Sequence, residues 1–214
     1  MKILGIIGSP RKGGNTDILV SEVLKGAEVG ASQRLIPTIE KIYLDDFKLL
    51  PCKVCGKCKD TGKCVQPDDF NLILQKIKNS DAIVLGSPVY CKTVTAQTKI
   101  LIDKVDSSQI IISSNPDGTT KFSRRQKLER LSPPMWRQEL PSDTTTPRKA
   151  VIICIGDLSG LNILKQSAEV IRCLFHDLNI KVIDEILANK LSSPEDALKN
   201  KPLLERSLTI GASL

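Results

Sequence analysis

The chain has 214 residues, 41% of them hydrophobic and 26% charged, which fits a folded globular protein and excludes a disordered one. Its 31 Lys and Arg against 24 Asp and Glu give a formal net charge of +7, but aromatics are only 3%, too few for a base-stacking surface, and no stretch concentrates the cations as a DNA-reading helix would. No apolar run approaches the ~20 residues that span a bilayer, and the apolar start lacks a basic leader and a cleavage site, so a cytoplasmic protein with neither a nucleic-acid nor a membrane partner is expected.

In chain order, strand and helix alternate. Residues 2–8 (KILGIIG) form a continuous apolar run, as in a strand covered on both faces. A helix follows, with Val20, Val23, Leu24 and Ala27 at i, i+3, i+4, i+7. Residues 34–44 read as a weaker strand, which Pro37 either pushes to a sheet edge or confines in pairing to its second half. Phe70, Ile73, Leu74 and Ile77 mark the second helix, with Asp68 or Asp69 as its N-cap. Residues 82–88 are a third strand, and Val94, Thr98, Leu101 and Val105 a third helical stripe. Residues 150–156 and 180–187 give two more strands, the last at a sheet edge, separated by the stripe Leu164, Ala168, Ile171, Phe175, Leu178. A final helix is expected from Ser193-Pro194-Glu195, with Ser193 as cap. The only histidine, His176, lies in a helical stripe and excludes any mechanism that needs two; no catalytic side chain is assigned.

Repeated βα units predict an α/β fold: one domain over residues 1–214 with a doubly wound, five-stranded parallel sheet in the flavodoxin-like order 2-1-3-4-5. The turn-rich residues 107–149 are too long for an ordinary connection. They form an excursion whose Ile110, Ile111, Ile112, Met135 and Trp136 suit a contact between subunits or a lid.

The first strand runs into Gly8-Ser9-Pro10-Arg11-Lys12-Gly13-Gly14-Asn15-Thr16 and then a helix, which sets loop amides, hydroxyls and a helix N-terminus around a phosphate. Gly14 stands where a nucleotide-triphosphate loop needs its lysine, and Pro10 breaks the dinucleotide glycine spacing. A single terminal phosphate remains, taken by Ser9, Asn15, Thr16 and the amides, with Arg11 adding charge. Ser87-Pro88-Val89-Tyr90 ends the third strand beside this loop, where amides can read the edge of a planar heterocycle and Tyr90 can cover its face. Asp157, at the end of the fourth strand, completes the rim.

The GSPRKGGNT loop, followed by SPVY and a TVTAQTKILIDK helix, resembles the NAD(P)H-dependent FMN reductase branch of flavodoxin-like proteins. The resemblance implies FMN, with Ser9, Arg11, Asn15 and Thr16 at its phosphate and Pro88, Val89, Tyr90 and Thr93 flanking its ring. Where that family commonly has an aromatic residue and a glycine after the tyrosine, this chain has Cys91 and Lys92.

The chain has seven cysteines, an odd count in an expected reducing compartment, so they do not read as a disulfide framework. Cys52, Cys55, Cys58 and Cys64, in loop 51–66, form C-x2-C-x2-C-x5-C. Three ligands from one tight loop match the run that holds a ferredoxin-type [4Fe–4S] cluster. Zinc, which usually draws two knuckles from separated segments, is the rival, and a thiol redox switch is a third reading. On a chain that also carries the FMN loops, this motif resembles the iron–sulfur flavoproteins of archaea and anaerobic bacteria. That resemblance implies one FMN and one [4Fe–4S] cluster per subunit, a homodimer or homotetramer, and electrons from ferredoxin passed on to oxygen, peroxide or a quinone. Lys53, Lys57, Lys59 and Lys63 interleave with the cysteines and suit an acidic carrier. The alternatives are a NAD(P)H-dependent FMN or quinone reductase without a cluster, and a zinc-stabilised binding module.

Overall fold

The computed structural model describes residues 1–31, 36–58, 61–114, 120–124, 147–157 and 160–214, the stretches 108–114 and 120–124 by their backbone course alone. Its strands in chain order are β1 (Lys2–Ile7), β2 (Thr38–Tyr43), β3 (Ala82–Tyr90), β4 (Thr93–Val94), β5 (Ile110–Ser114), β6 (Thr120–Arg124), β7 (Lys149–Ile155) and β8 (Lys181–Ala188). The helices are α1 (Asn15–Gly30), α2 (Phe70–Lys78), α3 (Ala96–Gln109), α4 (Leu161–Asp177), α5 (Asp196–Lys199) and α6 (Lys201–Gly211).

Five strands run parallel in the order β2-β1-β3-β7-β8, the expected doubly wound sheet. The apolar runs of β1, β3 and β7 are buried on both faces, because helices cover each side. Alternate residues of β1 serve different cores. Leu4 and Ile6 join Phe70 of α2, Leu101 of α3 and Phe175 of α4. Ile3 and Ile7 join Val20 and Val23 of α1 and Ile210 of α6. Pairing of β2 begins at Thr38, right after Pro37, as a residue without an N–H dictates.

Two expectations are corrected and a third is refined. Val94 does not open α3; it lies in β4, a two-residue strand antiparallel to the end of β3, and the helix begins at Ala96. Ser193 does not cap the last helix. A short helix starts at Asp196, and the long one follows Asn200, whose side chain accepts from the Leu203 N–H at 3.2 Å. Asp69 does stand at the N-cap of α2, but its carboxylate accepts from the Lys48 N–H at 2.7 Å and leaves the helix uncapped, while Asp68 Oδ1 accepts from the Phe70 N–H at 3.2 Å. In the excursion, β5 and β6 pair as a separate antiparallel hairpin. Met135 and Trp136 lie outside the described residues.

Candidate functional site

Because the strands are parallel, the ends of β1, β2, β3 and β7 emerge at one edge of the sheet. That edge carries the loop 8–14, the segment 44–69, the β3–β4 hairpin and the loop after β7. The chain reverses its direction of sheet growth between β1 and β3, which opens a crevice there.

The loop 8–14 is held from below. Gly8 N–H donates to Gly86 O at 2.7 Å, and the Thr95 hydroxyl donates to Gly8 O at 2.6 Å and meets the Thr98 hydroxyl at 2.9 Å. A Cβ on Gly8 would stand 2.0 Å from Thr98 Oγ1, so only glycine fits. Gly13 turns the chain with φ +74°, the left-handed region that suits glycine. Its N–H donates to Asp17 Oδ2 at 2.7 Å. No side chain caps α1, which leaves the first amides of that helix facing the loop. Ser9 and Thr16 are buried, and the Ser9 hydroxyl accepts from the Arg11 N–H at 3.1 Å. Arg11 is exposed at the rim.

Asp17 is a site residue that sequence reasoning missed. Burial raises the pKa of its carboxyl, but the Lys41 ammonium, the Gly13 N–H and the Tyr43 hydroxyl all donate to it and hold it below the usual carboxylate range. Two ammonium groups lie over the Tyr43 ring, Lys12 at 5.0 Å and Lys41 at 5.5 Å from its centre, and Lys12 is paired with Asp46 at 2.7 Å. An aspartate in the first helical turn was the one available signal.

Two expected cofactor contacts are spent elsewhere. The Asn15 side chain donates to Ser193 O at 2.6 Å and accepts from the Ala197 N–H at 2.9 Å, so it ties α1 to the C-terminal segment. Ser87 is fully buried, and its hydroxyl accepts from the Thr95 N–H at 3.1 Å and donates to Pro88 O at 2.9 Å. Its hydroxyl thus ties the end of β3 to the start of α3 from inside. Pro88 and Val89 are buried, Thr93 is half-buried and Tyr90 is exposed above them. Tyr90 and Thr93 pair across a two-residue turn in which Cys91 (φ 47°) and Lys92 (φ 67°) both have positive φ, the form of a type I′ hairpin. Neither residue is glycine or asparagine, so the turn carries backbone strain. Asp157 accepts from the Ser192 hydroxyl, which joins the rim to the segment after β8.

The four cysteines of loop 51–66 line one cavity with Val54, Val65, Phe70 and Lys104; its described lining contains no carboxylate and no imidazole. Val54 (φ 48°) and Gly56 (φ 70°) curl the chain about it, and the Val54 N–H donates to Cys52 Sγ at 3.3 Å. Cys64 packs against the core, and its backbone is gripped by the Asn71 amide in both directions, at 2.8 and 2.7 Å. Burial, and then the neighbouring Cys64, Cys52 and Cys55, push the Cys58 thiol up despite an opposing backbone hydrogen bond. Among the described residues no three His, Cys, Asp or Glu side chains converge closely enough to hold a metal ion. The donor set nevertheless fits a polynuclear iron–sulfur group in its chemistry: four thiols around one hollow, with an N–H on sulfur and cations in the lining. Of the remaining cysteines, Cys154 is core, its thiol pushed up to about 12 chiefly by burial, while Cys91 and Cys173 are exposed. Among the described residues no helix is long and apolar enough to cross a membrane.

Comparison with known proteins bears on the same residues. The family described as NADPH-dependent FMN reductase matches residues 1–120. An iron–sulfur flavoprotein of Methanocaldococcus jannaschii is 49% identical over 105 residues, covering 49% of this chain and 51% of that protein. An iron–sulfur flavoprotein of Methanosarcina thermophila is 38% identical over 104 residues, covering 49% of this chain and 52% of that protein. The chain thus spans about half the length of the curated relatives it matches. Among solved structures, an NAD(P)H:quinone oxidoreductase from Methanothermobacter marburgensis superposes with a TM-score of 0.63 at 14% identity, covering 99% of this chain and 98% of that one. At that identity it shows the shared fold.

Proposed function

The chain belongs to the NADPH-dependent FMN reductase family, on its iron–sulfur flavoprotein branch, and from that premise we propose that it is an electron-transfer oxidoreductase that binds FMN beside a [4Fe–4S] cluster. One observation carries the reading: the phosphate-type loop and a loop of four thiols around one cavity leave the same edge of the sheet. Such a cluster carries single electrons while FMN takes one or two, so the pair links a one-electron donor to a two-electron acceptor.

The chain's own residues divide the work. Ser9, Thr16, the loop amides and the N-terminus of α1 hold the FMN phosphate, with Arg11 at its rim. The buried Pro88 and Val89 form the floor under the flavin ring, and Tyr90 and Thr93 flank it. Cys52, Cys55, Cys58 and Cys64 ligate the cluster. Lys53 and Lys57, exposed on the cysteine loop, offset its negative charge and offer a docking surface to ferredoxin or a similar acidic carrier. Oxygen, peroxide or a quinone is the acceptor, and the working unit is a homodimer or homotetramer.

Flavin, metal and acid-labile sulfide analysis of anaerobically purified protein tests the reading. FMN with iron and sulfide is expected. FMN without iron would make the chain a flavin reductase that lacks the cluster, and zinc without flavin would make it a binding module.

A further inference from the structure

We infer that the ammonium of Lys104, on α3, closes the neck of the cysteine loop and offsets the charge of the anionic group that its cavity holds. Lys104 is thus a positioning residue for the cluster. The inference rests on the reading of loop 51–66 as a cluster loop.

Lys104 is 3% exposed, a rare state for lysine and one that demands partners. It has three. Its ammonium donates to Leu50 O at 3.3 Å, to Gln66 Oε1 at 3.2 Å and to the Asp68 carboxylate. Leu50 stands two residues before the first cysteine of the motif, and Gln66 two residues after the last. One cation therefore joins both ends of the loop. The same neck is closed by the Leu50 N–H on Asp68 Oδ2 at 2.9 Å and by the Gln66 amide on Pro51 O at 3.2 Å. The side chains of Lys104 and Asp68 are both almost wholly buried, so removal of either leaves an uncompensated charge in the interior.

The two partners do not face the cavity equally. Lys104 lines it together with the four cysteines, and Asp68 does not. Asp68 is turned to the Leu50 and Phe70 amides, whereas the Lys104 ammonium lies 5.1 Å from the centre of the ring of Phe70, itself part of the cavity lining. A fixed cation at that position favours extra negative charge in the cavity, and hence reduction of a cluster there. The placement also links the two loops of the site. Thr98, which helps hold the phosphate loop through Thr95, and Lys104 stand six residues apart on α3, ~9 Å along its axis. One rigid helix thus anchors both loops.

Lys104→Met keeps most of the length and removes the charge, and Lys104→Arg restores the charge. In anaerobically purified holoprotein, Lys104→Met should release iron to a chelator at least tenfold faster than wild type. At a fixed applied potential its ratio of reduced to oxidised cluster should fall about tenfold, with FMN still bound, and Lys104→Arg should recover most of both. If Lys104→Met does not fold, Lys104→Met with Asp68→Asn leaves no buried charge unpaired; it should fold and still show the lowered reduction ratio. In cluster-free protein, amide exchange at Leu50 and Phe70 should quicken at least tenfold in Lys104→Met. Wild-type iron release and reduction ratio in Lys104→Met would overturn the inference. Wild-type protein that holds no iron would instead overturn the reading of the loop, and the exchange measurement would still decide whether Lys104 closes its neck.

Discussion

The loop after β1 and the loop after β2 leave the same sheet edge, yet they are held in opposite ways. The phosphate-type loop is built into the core. Gly8 touches Thr98, Ser9 and Thr16 are buried, and Asp17 reaches back to clasp the Gly13 amide. The cysteine loop instead projects outward and is fastened at its neck by Lys104, Asp68 and Gln66, with Asn71 gripping the Cys64 backbone. On the proposed reading, function and stability share the same atoms in the first loop and are separated in the second. A binding loop made of backbone must be rigid before its ligand arrives. A loop that binds through thiolate bonds can be completed by what it binds.

The largest expected effect breaks the second loop alone. Cys58→Ala should abolish the four-iron spectrum or leave a smaller cluster, while FMN remains bound. The thermal midpoint of the cluster-free protein should move by no more than ~2 °C, as for a substitution outside the packed core. A normal four-iron spectrum in this variant would remove Cys58 from the ligand set.

Next in size is Ser9→Ala combined with Thr16→Ala. Each hydrogen bond to a charged group is worth ~1.5–3 kcal/mol, so FMN affinity measured by calorimetry should fall roughly a hundredfold or more, with the cluster retained. Unchanged affinity would move the phosphate elsewhere.

Gly8→Ala sharpens the contrast, because it forces a methyl group against Thr98 Oγ1. Overpacking of this kind costs roughly 1–3 kcal/mol, which in a chain of this size lowers the melting temperature by roughly 2–12 °C. FMN binding should weaken in the same variant. Loss of stability without loss of binding would show that the two are separable in this loop too.

The smallest effect concerns Asp17. Its folded pKa is depressed, so its stabilising contribution is complete above the unfolded carboxylate value of about 3.9 and is lost as pH falls through the lower folded value. Asp17→Asn should therefore cost about 1 kcal/mol near neutral pH, and the gap from wild type should close in acid. A gap that stayed constant down to the acid limit would mean that the carboxylate charge contributes nothing.

Much of the fold was legible because burial on two faces leaves continuous apolar runs, and β1, β3 and β7 carry them. Pro37 likewise marked where β2 could begin to pair, since proline offers no N–H. Helix ends were less legible. Ser193-Pro194 has the form of a helix start, but the chain bends once more and Asn200 supplies the cap, because Asn15 of α1 draws the Ser193–Ala197 segment against the phosphate loop. That bond joins residues 178 positions apart, and no local pattern announces it.

The sequence by itself determined the groups that the proposed chemistry draws on: a glycine-rich turn between strand and helix, four closely spaced thiols, and parallel alternation that brings their loops to one edge. These are properties of residue type and short-range spacing, which chain connectivity alone fixes. Only the tertiary structure decided which polar atoms remain for a ligand. It turned Asn15 and Ser87 inward, brought Asp17 under the Gly13 amide, and set Lys104 at the neck of the cysteine loop. The reason is physical. A buried amide, hydroxyl or charge must find a partner, and which partner it finds depends on elements that are distant in the chain and adjacent only after folding.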